Sequence, residues 1–369
     1  MKITEYALPK QQDATQPLEA IMAHNHERVV YFYDETTGLK AIVAIHNTVL
    51  GPALGGARIW NYRREEDALV DVLRLSKGMT YKSAVAGLDL GGGKAVLVGD
   101  VNQLKNEAYL RRYGKFIESL QGSYITAPDV NTNMYDMVHV AKETEYVVGL
   151  PSLHQGSGDP SILTAYGTYM GIKAVAHKIY GSDSLAGKKI GIQGIGKVGT
   201  SLVDYLSKEG AYMYVTDILT DRLNDIAKQY KVQVVQDPGT FYDLDMDIYV
   251  PCALGATIND QTISKLKCKG IAGAANNQLA DEHKHGRMLL EKGIVYAPDF
   301  LVNAGGVINV HTEFYGGYNS ALAHQQVESI YTTCLNVLRQ SEQEHKPSQE
   351  IAIRLAEQRI NAIKHVRLS

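Results

Sequence analysis

The feature that most constrains the fold of this chain is the segment KKIGIQGIGKVGTSLVDYLS, which begins at Lys188. In it, an apolar strand pattern leads directly into a GxGxxG pattern at Gly194–Gly199, and a helical pattern follows over Val198–Ser207. A strand, a glycine-rich turn and a helix in this order are typical of the first βαβ unit of a dinucleotide-binding parallel sheet. The next predicted strand ends at Asp217, near the position where this pattern has an acidic residue.

The residues of the motif have separate physical purposes. Gly194 permits a tight turn, Gly196 lets the backbone approach a pyrophosphate, and Gly199 lets the helix pack closely on the strand. Lys197 precedes the predicted helix and Val198 begins it, and the free N–H groups and the positive end of the helix dipole at this helix start attract phosphate. We therefore predict that these five residues bind the diphosphate of a dinucleotide.

Asp217 indicates which dinucleotide binds. Its carboxylate can accept hydrogen bonds from the ribose hydroxyls, and it would repel a 2′-phosphate, so the pattern predicts NAD as the cofactor. Arg222 is close in sequence and leaves room for some use of NADP. The alternative is a glycine-rich turn followed by an acidic residue by chance.

The chain of 369 residues is long enough for two domains of about 150 residues each. Strands alternate with helices in its second half, which predicts βαβ units and an α/β fold with a parallel sheet. We predict an N-terminal α/β domain at 1–150 and a Rossmann-like domain at 151–344, connected through the Gly-, Ser- and Pro-rich segment Leu150–Asp159. We expect the C-terminal helix, at about 345–369, to pack back on the first domain. The predicted strands of the second domain are Lys189–Gln193, Tyr212–Thr216, Val232–Val235, Ile248–Val250 and Gly270–Ala272.

The first domain mixes strands and helices. Two β-rich runs, Val29–Tyr33 and Leu39–His46, predict an antiparallel pair around a short turn. Helical patterns cover Glu65–Ala86 and Asn102–Leu120. Two further short strands are predicted at Lys94–Val98 and Tyr124–Thr126.

Composition excludes several classes of protein. The formal net charge is −3 without a long basic run, so neither nucleic acid nor an anionic membrane is expected as a partner. We expect no membrane span and no signal peptide, because apolar runs are short and the N-terminus lacks an apolar core segment. The three cysteines form no CxxC pair, which favours the cytoplasm and argues against a zinc site. We expect no metal.

The segment Lys77–Lys94, KGMTYKSAVAGLDLGGGK, carries the residues best suited to chemistry. Three successive glycines are unfavourable in chain entropy, so a protein keeps them where the backbone must come close to something. Lys94 follows them, and a desolvated lysine can serve as a base near neutral pH. Lys82 could pair with a carboxylate. Lysines around a surface glycine loop are the alternative, and Asp129 taken alone is an ordinary loop acid or helix cap.

Taken together, these residues resemble the amino-acid dehydrogenase family that includes the glutamate, leucine, valine and phenylalanine dehydrogenases, and within it the match is best to the members that act on leucine. The resemblance rests on nine motifs in order along most of the chain. They are GPALGGAR (Gly51–Arg58), KGMTYK (Lys77–Lys82), GGGK (Gly91–Lys94), TAPDV (Thr126–Val130), TAYG (Thr164–Gly167), the GxGxxG motif, PCALG (Pro251–Gly255), GAANNQL (Gly273–Leu279) and APDFLVNAGGVINV (Ala297–Val310).

The resemblance implies a role for each matching residue on the substrate side. Lys82 would bind the α-carboxylate of an amino acid. Lys94 would be a general acid/base with a low pKa, and Asp129 would assist proton transfer at the amino group. Gly55 and Gly56 would bring their backbone close to the substrate.

The resemblance also implies the cofactor side and the assembly. Thr164 and Asn276 would lie near the nicotinamide and the reacting centre, and Cys252 and Ala253 would contribute to the cofactor site. The family has a substrate and oligomerisation domain, a cleft, and a nucleotide domain that closes on the substrate. A homo-oligomer, octamer or dimer, is therefore expected.

The expected reaction is the reversible, NAD-dependent oxidative deamination of an amino acid to a 2-oxo acid and ammonia. Leu54 stands where family members specific for glutamate have a lysine, so a side-chain carboxylate is disfavoured. Ala127 and Val307 match the leucine-type pair, and Val310 completes an aliphatic wall. Leucine, valine and isoleucine stay unranked, since one methylene is worth only about 1–3 kcal/mol. The alternatives are an aromatic amino acid such as phenylalanine and a non-catalytic sensor of NAD or an amino acid.

Overall fold

The protein is described by a computed structural model over residues 21–315 and 317–368. The first twenty residues of the predicted N-terminal domain lie outside this description. The chain divides into two compact units. The first comprises the described residues up to Thr48 with Pro52–Thr80 and Gly91–Tyr146, and the second comprises Val49–Gly51, Tyr81–Leu90 and the described residues from Val147 onward.

The first unit is built on a five-stranded sheet of order β1-β2-β4-β3-β5. Strands β1 and β2 and strands β2 and β4 pair antiparallel, whereas β3 lies parallel to both β4 and β5. The elements of this part of the chain are β1 (Arg28–Asp34), β2 (Leu39–Asn47), β3 (Ala53–Trp60), α1 (Glu65–Val85), β4 (Gly91–Val98), α2 (Val101–Leu104), α3 (Glu107–Glu118), β5 (Tyr124–Pro128) and α4 (Met134–Ala141).

Apolar side chains cover both faces of this sheet. On one face, Ile42 and Val96 form a buried cluster with Leu69 and Val72 of α1. On the other, the fully buried Tyr113 of α3 shares a 2.8 Å hydrogen bond with the hydroxyl of Thr126. The sheet is therefore buried on both sides, which suits strands with nearly continuous apolar residues.

The sequence predicted part of this unit correctly. The antiparallel pair β1 and β2 is confirmed, but β3 was not predicted as a strand, because its glycines have low strand propensity. The single helix predicted over Asn102–Leu120 is wrong. The helix is interrupted at Lys105 and Asn106. The Asn106 side chain accepts a hydrogen bond from the N–H of Tyr109 and so caps the start of a second helix.

The second unit is built on a six-stranded sheet of order β11-β10-β9-β6-β7-β8, in which every strand pair is parallel. The α/β fold with a Rossmann-like parallel sheet is thereby confirmed. Its strands are β6 (Lys189–Gln193), β7 (Tyr212–Thr216), β8 (Val232–Val234), β9 (Ile248–Pro251), β10 (Gly270–Ile271) and β11 (Val295–Tyr296).

Ten helices of the second unit pack around this sheet or beside it within the described residues. They are α5 (Ser161–Tyr180), α6 (Lys197–Lys208), α7 (Thr220–Gln229), α8 (Pro238–Phe241), α9 (Asp260–Lys265), α10 (Glu282–Glu291), α11 (Asp299–Val302), α12 (Gly305–Phe314), α13 (Ser320–Glu344) and α14 (Ser348–Leu368). In the part of the chain that the structure describes, no helix is both long and apolar enough to cross a membrane.

The C-terminal helix α14 belongs to the second unit. The sequence had assigned it to the first domain. Arg359 donates to the carbonyl of Leu88 at 2.6 Å and pairs with Asp89 at 2.8 Å. These partners lie within the predicted range 1–150, but their segment, Tyr81–Leu90, itself forms part of the second unit. The division of the chain into two units is therefore set by contacts between segments that are far apart in sequence, such as α14 and Tyr81–Leu90.

Two histidines lie between α1 and the strands of the first unit, His46 buried and His26 partly buried. His26 bonds to the Ser76 hydroxyl at 2.7 Å, and His46, at an irregularity in the pairing of β2 with β4, bonds to the Thr80 hydroxyl at 2.8 Å. Their rings are 4.9 Å apart. Burial, the neighbouring imidazoles and the Lys77 cation lower the pKa of His26 to about 3, and burial and the same cation lower the pKa of His46 to about 4.

This pair predicts a loss of stability in acid. The folded pKa values lie below the unfolded value of about 6.5, so the unfolded chain binds protons more readily as the pH falls. The stability is complete above that pH and declines towards pH 4 and 3. Thermal melts across this range should show a shallower decline of the Tm for His46→Gln than for the wild type. His283→Gln, at a side chain that is 90% exposed, should follow the wild type. Equal slopes for all three proteins would contradict this account.

Candidate active site

Lys94 and Asp129 form an ion pair in the first unit. The ammonium nitrogen of Lys94 lies 2.7 Å from Oδ2 of Asp129, and the lysine is buried. Lys94 sits in β4 and Asp129 directly follows β5, so the sheet topology brings together two residues 35 positions apart (129 − 94). The sequence suggested a desolvated lysine, and the structure shows a buried lysine that is also paired with a carboxylate. A paired ammonium and carboxylate can hold and exchange a proton at one place.

A second cation, which sequence reasoning did not single out, touches the same carboxylate. Nε of Arg58 lies 3.1 Å from Oδ2 of Asp129. Burial raises the pKa of the Asp129 carboxyl, but Lys94 and Arg58 outweigh that effect and lower it to about 2. Asp129 is therefore ionised at neutral pH. Arg58 belonged to the motif GPALGGAR, and that position was the only signal that could have drawn attention to it.

The glycines of this region permit close approach of backbones. A Cβ on Gly55 would lie 1.8 Å from the carbonyl oxygen of Gly93, and one on Gly92 would lie 2.1 Å from the nitrogen of Thr80. A Cβ on Gly56 would come within 2.7 Å of Cβ of Asp129. Within the first unit, these glycines are needed because the strands and α1 pack too closely for a side chain. The same packing holds Lys94 and Asp129 in place.

Leu54 and Ala127, the two predicted specificity residues of the first unit, share one face of its sheet with Lys94. Leu54 pairs in register with Gly92 and Gly56 pairs with Ala127, and alternate residues of a strand face the same side. Leu54 and Ala127 are both buried. The structure therefore brings an aliphatic surface to the face that carries the ion pair.

Lys82 belongs to the second unit, where it lies in the field of Asp299. Burial raises the pKa of the Asp299 carboxyl, and hydrogen bonding to backbone N–H groups and the charge of Lys82 act in the opposite direction. The N–H groups of Gln278 and Phe300 donate to Asp299 at 2.9 and 2.6 Å. Asp299 thus ties the GAANNQL segment to the start of α11.

The backbone of the GxGxxG loop has the tight turn, the close helix packing and the open position that the motif predicts for its three glycines. Gly194 has a φ of +101°, and Gly199 approaches it so closely that an added Cβ would lie 2.0 Å from the carbonyl oxygen of Gly194. A Cβ on Gly196 would meet nothing nearer than Arg222, at 3.9 Å. The loop is therefore closed on the side of the strand and open at Gly196, where α6 begins with Lys197. This is the cradle that a diphosphate requires.

Asp217 borders the same loop. Its two oxygens accept the N–H groups of Ile195 at 2.6 Å and Leu219 at 2.8 Å, and the guanidinium of Arg222 lies 3.9 Å away. Lys197 pairs with Asp159 at 2.6 Å. A cavity of about 560 Å³ opens here, lined by Asp159, Ser161, Ile195, Gly196, Lys197, Thr200, Ser201 and Arg222. The residues present fit the diphosphate and ribose of a dinucleotide.

The other residues predicted for the cofactor adjoin the loop or lie on neighbouring elements. Cys252 bonds through its N–H to the carbonyl of Gln193 at 2.7 Å, and Ala253 would contact any Cβ on Gly194. Asn276 accepts from the side chain of Asn303 at 2.8 Å. The hydroxyl of Thr164 donates to the carbonyl of Pro160 at 2.8 Å.

Val307 and Val310 are buried in α12 of the second unit, and the same helix carries an anchor that the sequence did not reveal. The Glu313 carboxylate accepts the N–H groups of Gly149, Leu150 and Ser157 at 2.9, 3.2 and 2.9 Å, and the Ser157 hydroxyl at 2.6 Å. Glu313 therefore fixes the connecting segment that precedes α5. No group of three or more His, Cys, Asp or Glu residues in the described ranges could hold a metal ion.

One unit is Rossmann-like and has an open GxGxxG loop that fits a dinucleotide, and the other carries a buried lysine paired with an aspartate. These two features together are typical of the class of dehydrogenases. Comparison with known proteins defines the family. The family described as "Glu/Leu/Phe/Val dehydrogenase, dimerisation domain" matches residues 26–146, and the one described as "Glutamate/Leucine/Phenylalanine/Valine dehydrogenase" matches residues 213–367.

Individual relatives cover nearly the whole chain. The chain is 51% identical to leucine dehydrogenase from Bacillus subtilis (strain 168), over 93% of this chain and 94% of that protein. It is 47% identical to phenylalanine dehydrogenase from Bacillus thermotolerans, over 91% and 89%. The crystal structure of L-tryptophan dehydrogenase from Nostoc punctiforme superposes with a TM-score of 0.83 at 41% identity, over 94% of this chain and 99% of that one. The chain therefore belongs to the glutamate/leucine/phenylalanine/valine dehydrogenase family, and it is an amino-acid dehydrogenase. Both predictions are confirmed.

Two glycines of one motif should respond differently to substitution by alanine. Gly199→Ala should lower the Tm, because its Cβ would meet a backbone oxygen that cannot move without displacing the loop. Gly196→Ala should leave the Tm close to that of the wild type, because the space around Gly196 is open. Differential scanning calorimetry of the two variants checks this. The geometry would be contradicted if Gly196→Ala proved the more destabilising change.

Proposed function

We propose that this enzyme catalyses the reversible, NAD-dependent oxidative deamination of a branched-chain aliphatic L-amino acid, leucine and also valine and isoleucine, to the 2-oxo acid and ammonia. The observation that carries the proposal is the Lys94–Asp129 pair on a sheet face shared with the buried aliphatic Leu54 and Ala127. The 51% identity to a leucine dehydrogenase across 93% of the chain supports the same substrate class.

The proposed chemistry divides between the cofactor and the protein. NAD supplies the acceptor for the hydride that leaves the substrate Cα, which turns the amino acid into an iminium. Lys82 binds the α-carboxylate. Asp129 accepts a hydrogen bond from the amino group, and Lys94 exchanges protons with the water that adds to the iminium. Loss of ammonia then gives the 2-oxo acid.

The proposed cofactor residues are those of the GxGxxG cradle, with Thr164, Cys252, Ala253 and Asn276 assigned through the resemblance. Gly194, Gly196, Lys197, Val198 and Gly199 would hold the diphosphate. Asp217 would accept the ribose hydroxyls, which favours NAD because a 2′-phosphate would approach a carboxylate. The half-exposed guanidinium of Arg222, 3.9 Å from that carboxylate, supports residual use of NADP.

Substrate selection is proposed to follow from an aliphatic lining. Leu54 cannot pair with a carboxylate, and a charge buried without a partner is costly, so glutamate is disfavoured. The methyl group of Ala127 would narrow the site against a ring, and Val307 and Val310 are carried over from the family as further contacts. Gly55 and Gly56 would present their backbone to the substrate.

The second candidate is an aromatic L-amino acid. Two observations favour it: the 47% identity to a phenylalanine dehydrogenase and the TM-score of 0.83 to an L-tryptophan dehydrogenase. Both are nearly as extensive as the match to the leucine enzyme. The buried Ala127 is the observation that favours the aliphatic substrates over this candidate.

We also propose a homo-oligomer that works in the cytoplasm. The family description of residues 26–146 as a dimerisation domain supports oligomerisation through the N-terminal domain, for which we keep the predicted range 1–150. Three free cysteines support a reducing compartment.

A panel of substrates tests the proposed function. NAD reduction by the purified enzyme should give the highest kcat/KM with L-leucine, L-valine and L-isoleucine, and lower values with L-phenylalanine, L-tryptophan and L-glutamate. Ala127→Gly should raise the ratio of phenylalanine to leucine by about tenfold or more, because it removes a methyl group from the lining. A wild-type preference for an aromatic substrate would establish the second candidate instead.

Substitution of Lys94 tests its role apart from cofactor binding. Lys94→Ala should lower kcat by about 10²–10⁴-fold, the range for loss of a general acid/base. The Kd for NADH, measured by fluorescence titration, should stay within about twofold of the wild type, because the cradle lies in the other unit. Full turnover by this variant would remove Lys94 from the mechanism.

A further inference from the structure

We propose that Arg58 is a positioning residue, which holds Oδ2 of Asp129 beside Lys94. Oδ1 is then left as the oxygen that accepts a hydrogen bond from the amino group of the substrate. This inference rests on the proposed function, and it adds an assignment for each oxygen of Asp129. It also gives a purpose to Arg58 and Asp71, two members of the ion network that the reaction outlined above does not use.

Both cations converge on one oxygen. Lys94 Nζ and Arg58 Nε lie 2.7 and 3.1 Å from Oδ2 of Asp129. Among the residues that the structure describes, no side chain or backbone N–H donates to Oδ1. The Asp129 side chain keeps 23% of its surface exposed, so Oδ1 has access to a donor from outside the protein. An ionised carboxylate with one oxygen occupied and one open suits a single ammonium or amino donor.

Arg58 is itself held in place from the opposite side. Its NH1 group lies 3.1 Å from Oδ2 of Asp71, a carboxylate that is almost fully buried. Asp71 also accepts the Tyr62 hydroxyl at 2.6 Å and NH2 of Arg74 at 3.1 Å. The planar guanidinium of Arg58 therefore bridges two carboxylates at once, which the single ammonium of a lysine cannot do with the same geometry.

The titratable groups that face Asp129 come from the three neighbouring strands β3, β4 and β5. Lys94 on β4 and Arg58 on β3 face Asp129, and Tyr124 of β5 lies in its field. Burial raises the pKa of Asp129 and the two cations lower it to about 2. Without Arg58, burial would remain and one cation would be lost, so the pKa of Asp129 would rise. Its carboxylate would also be free to turn about its Cβ–Cγ bond and present either oxygen to Lys94.

The matched pair of variants is Arg58→Met and Arg74→Met. Both remove one arginine from Asp71, but only Arg58 also contacts Asp129. We expect Arg58→Met to lower kcat/KM for the amino acid by about 10²-fold or more and to move the acid limb of its pH profile to higher pH. We expect Arg74→Met to leave the acid limb unmoved. A third variant, Arg58→Lys, keeps the positive charge but lacks the guanidinium that bridges the two carboxylates. It should therefore move the acid limb less than Arg58→Met does, while its kcat/KM stays low.

A readout besides activity separates this inference from the proposed function. In protein labelled with ¹³Cγ-aspartate, the Asp129 resonance, assigned by its loss in Asp129→Asn, should begin to shift at a higher pH in Arg58→Met than in the wild type as the pH is lowered within the range where both proteins stay folded. A far-UV circular dichroism spectrum like that of the wild type, with unchanged NADH binding, shows that both units of the variant are folded. If Asp129 titrates identically in both proteins, or the two pH profiles coincide, the positioning role is wrong. If the wild type turns over no amino acid, the proposed function fails, whereas the titration still decides the role of Arg58.

Discussion

The close approach of glycine backbones is the constraint on which the first unit depends. Strands β3 and β4 run so near each other that a Cβ on Gly55 would lie 1.8 Å from the Gly93 carbonyl, and α1 lies just as close to Gly92. Only residues without a side chain fit at these positions. The result is that three neighbouring strands bring Lys94, Arg58 and Asp129 into contact. Ordering these glycines costs conformational entropy, but their close packing holds the three ionic side chains together.

Buried charge is stabilised here through shared partners. Lys94 would be costly to bury alone, and so would Asp71 or Asp129. The structure places them in one chain of contacts in which each carboxylate has at least two cationic neighbours. Such networks stabilise a fold only while all members are satisfied, and they fix orientation more firmly than apolar packing does. Geometry at the reacting atoms therefore depends on residues that touch no substrate.

The cofactor cradle was the part of the molecule most accessible from sequence. Strand, glycine turn, helix and acidic residue are contiguous, so local rules place Gly194, Gly196, Gly199 and Asp217 without knowledge of the rest of the chain. The strands β6, β7 and β9 followed from the same alternation of apolar and helical patterns. By contrast, β3 was missed, because its glycines, which exist for a tertiary contact, remove the propensity that would mark a strand.

The sequence by itself determined the α/β fold, the dinucleotide motif and the family, since all three are written in short segments whose order along the chain is enough. Only the tertiary structure decided which side chains meet. It paired Lys94 with Asp129, brought Arg58 to the same oxygen, tied Glu313 to the connecting segment and placed Lys82 and the last helix in the second unit. The physical reason is that these contacts join residues far apart in sequence, and neither propensity nor periodicity carries information over that distance.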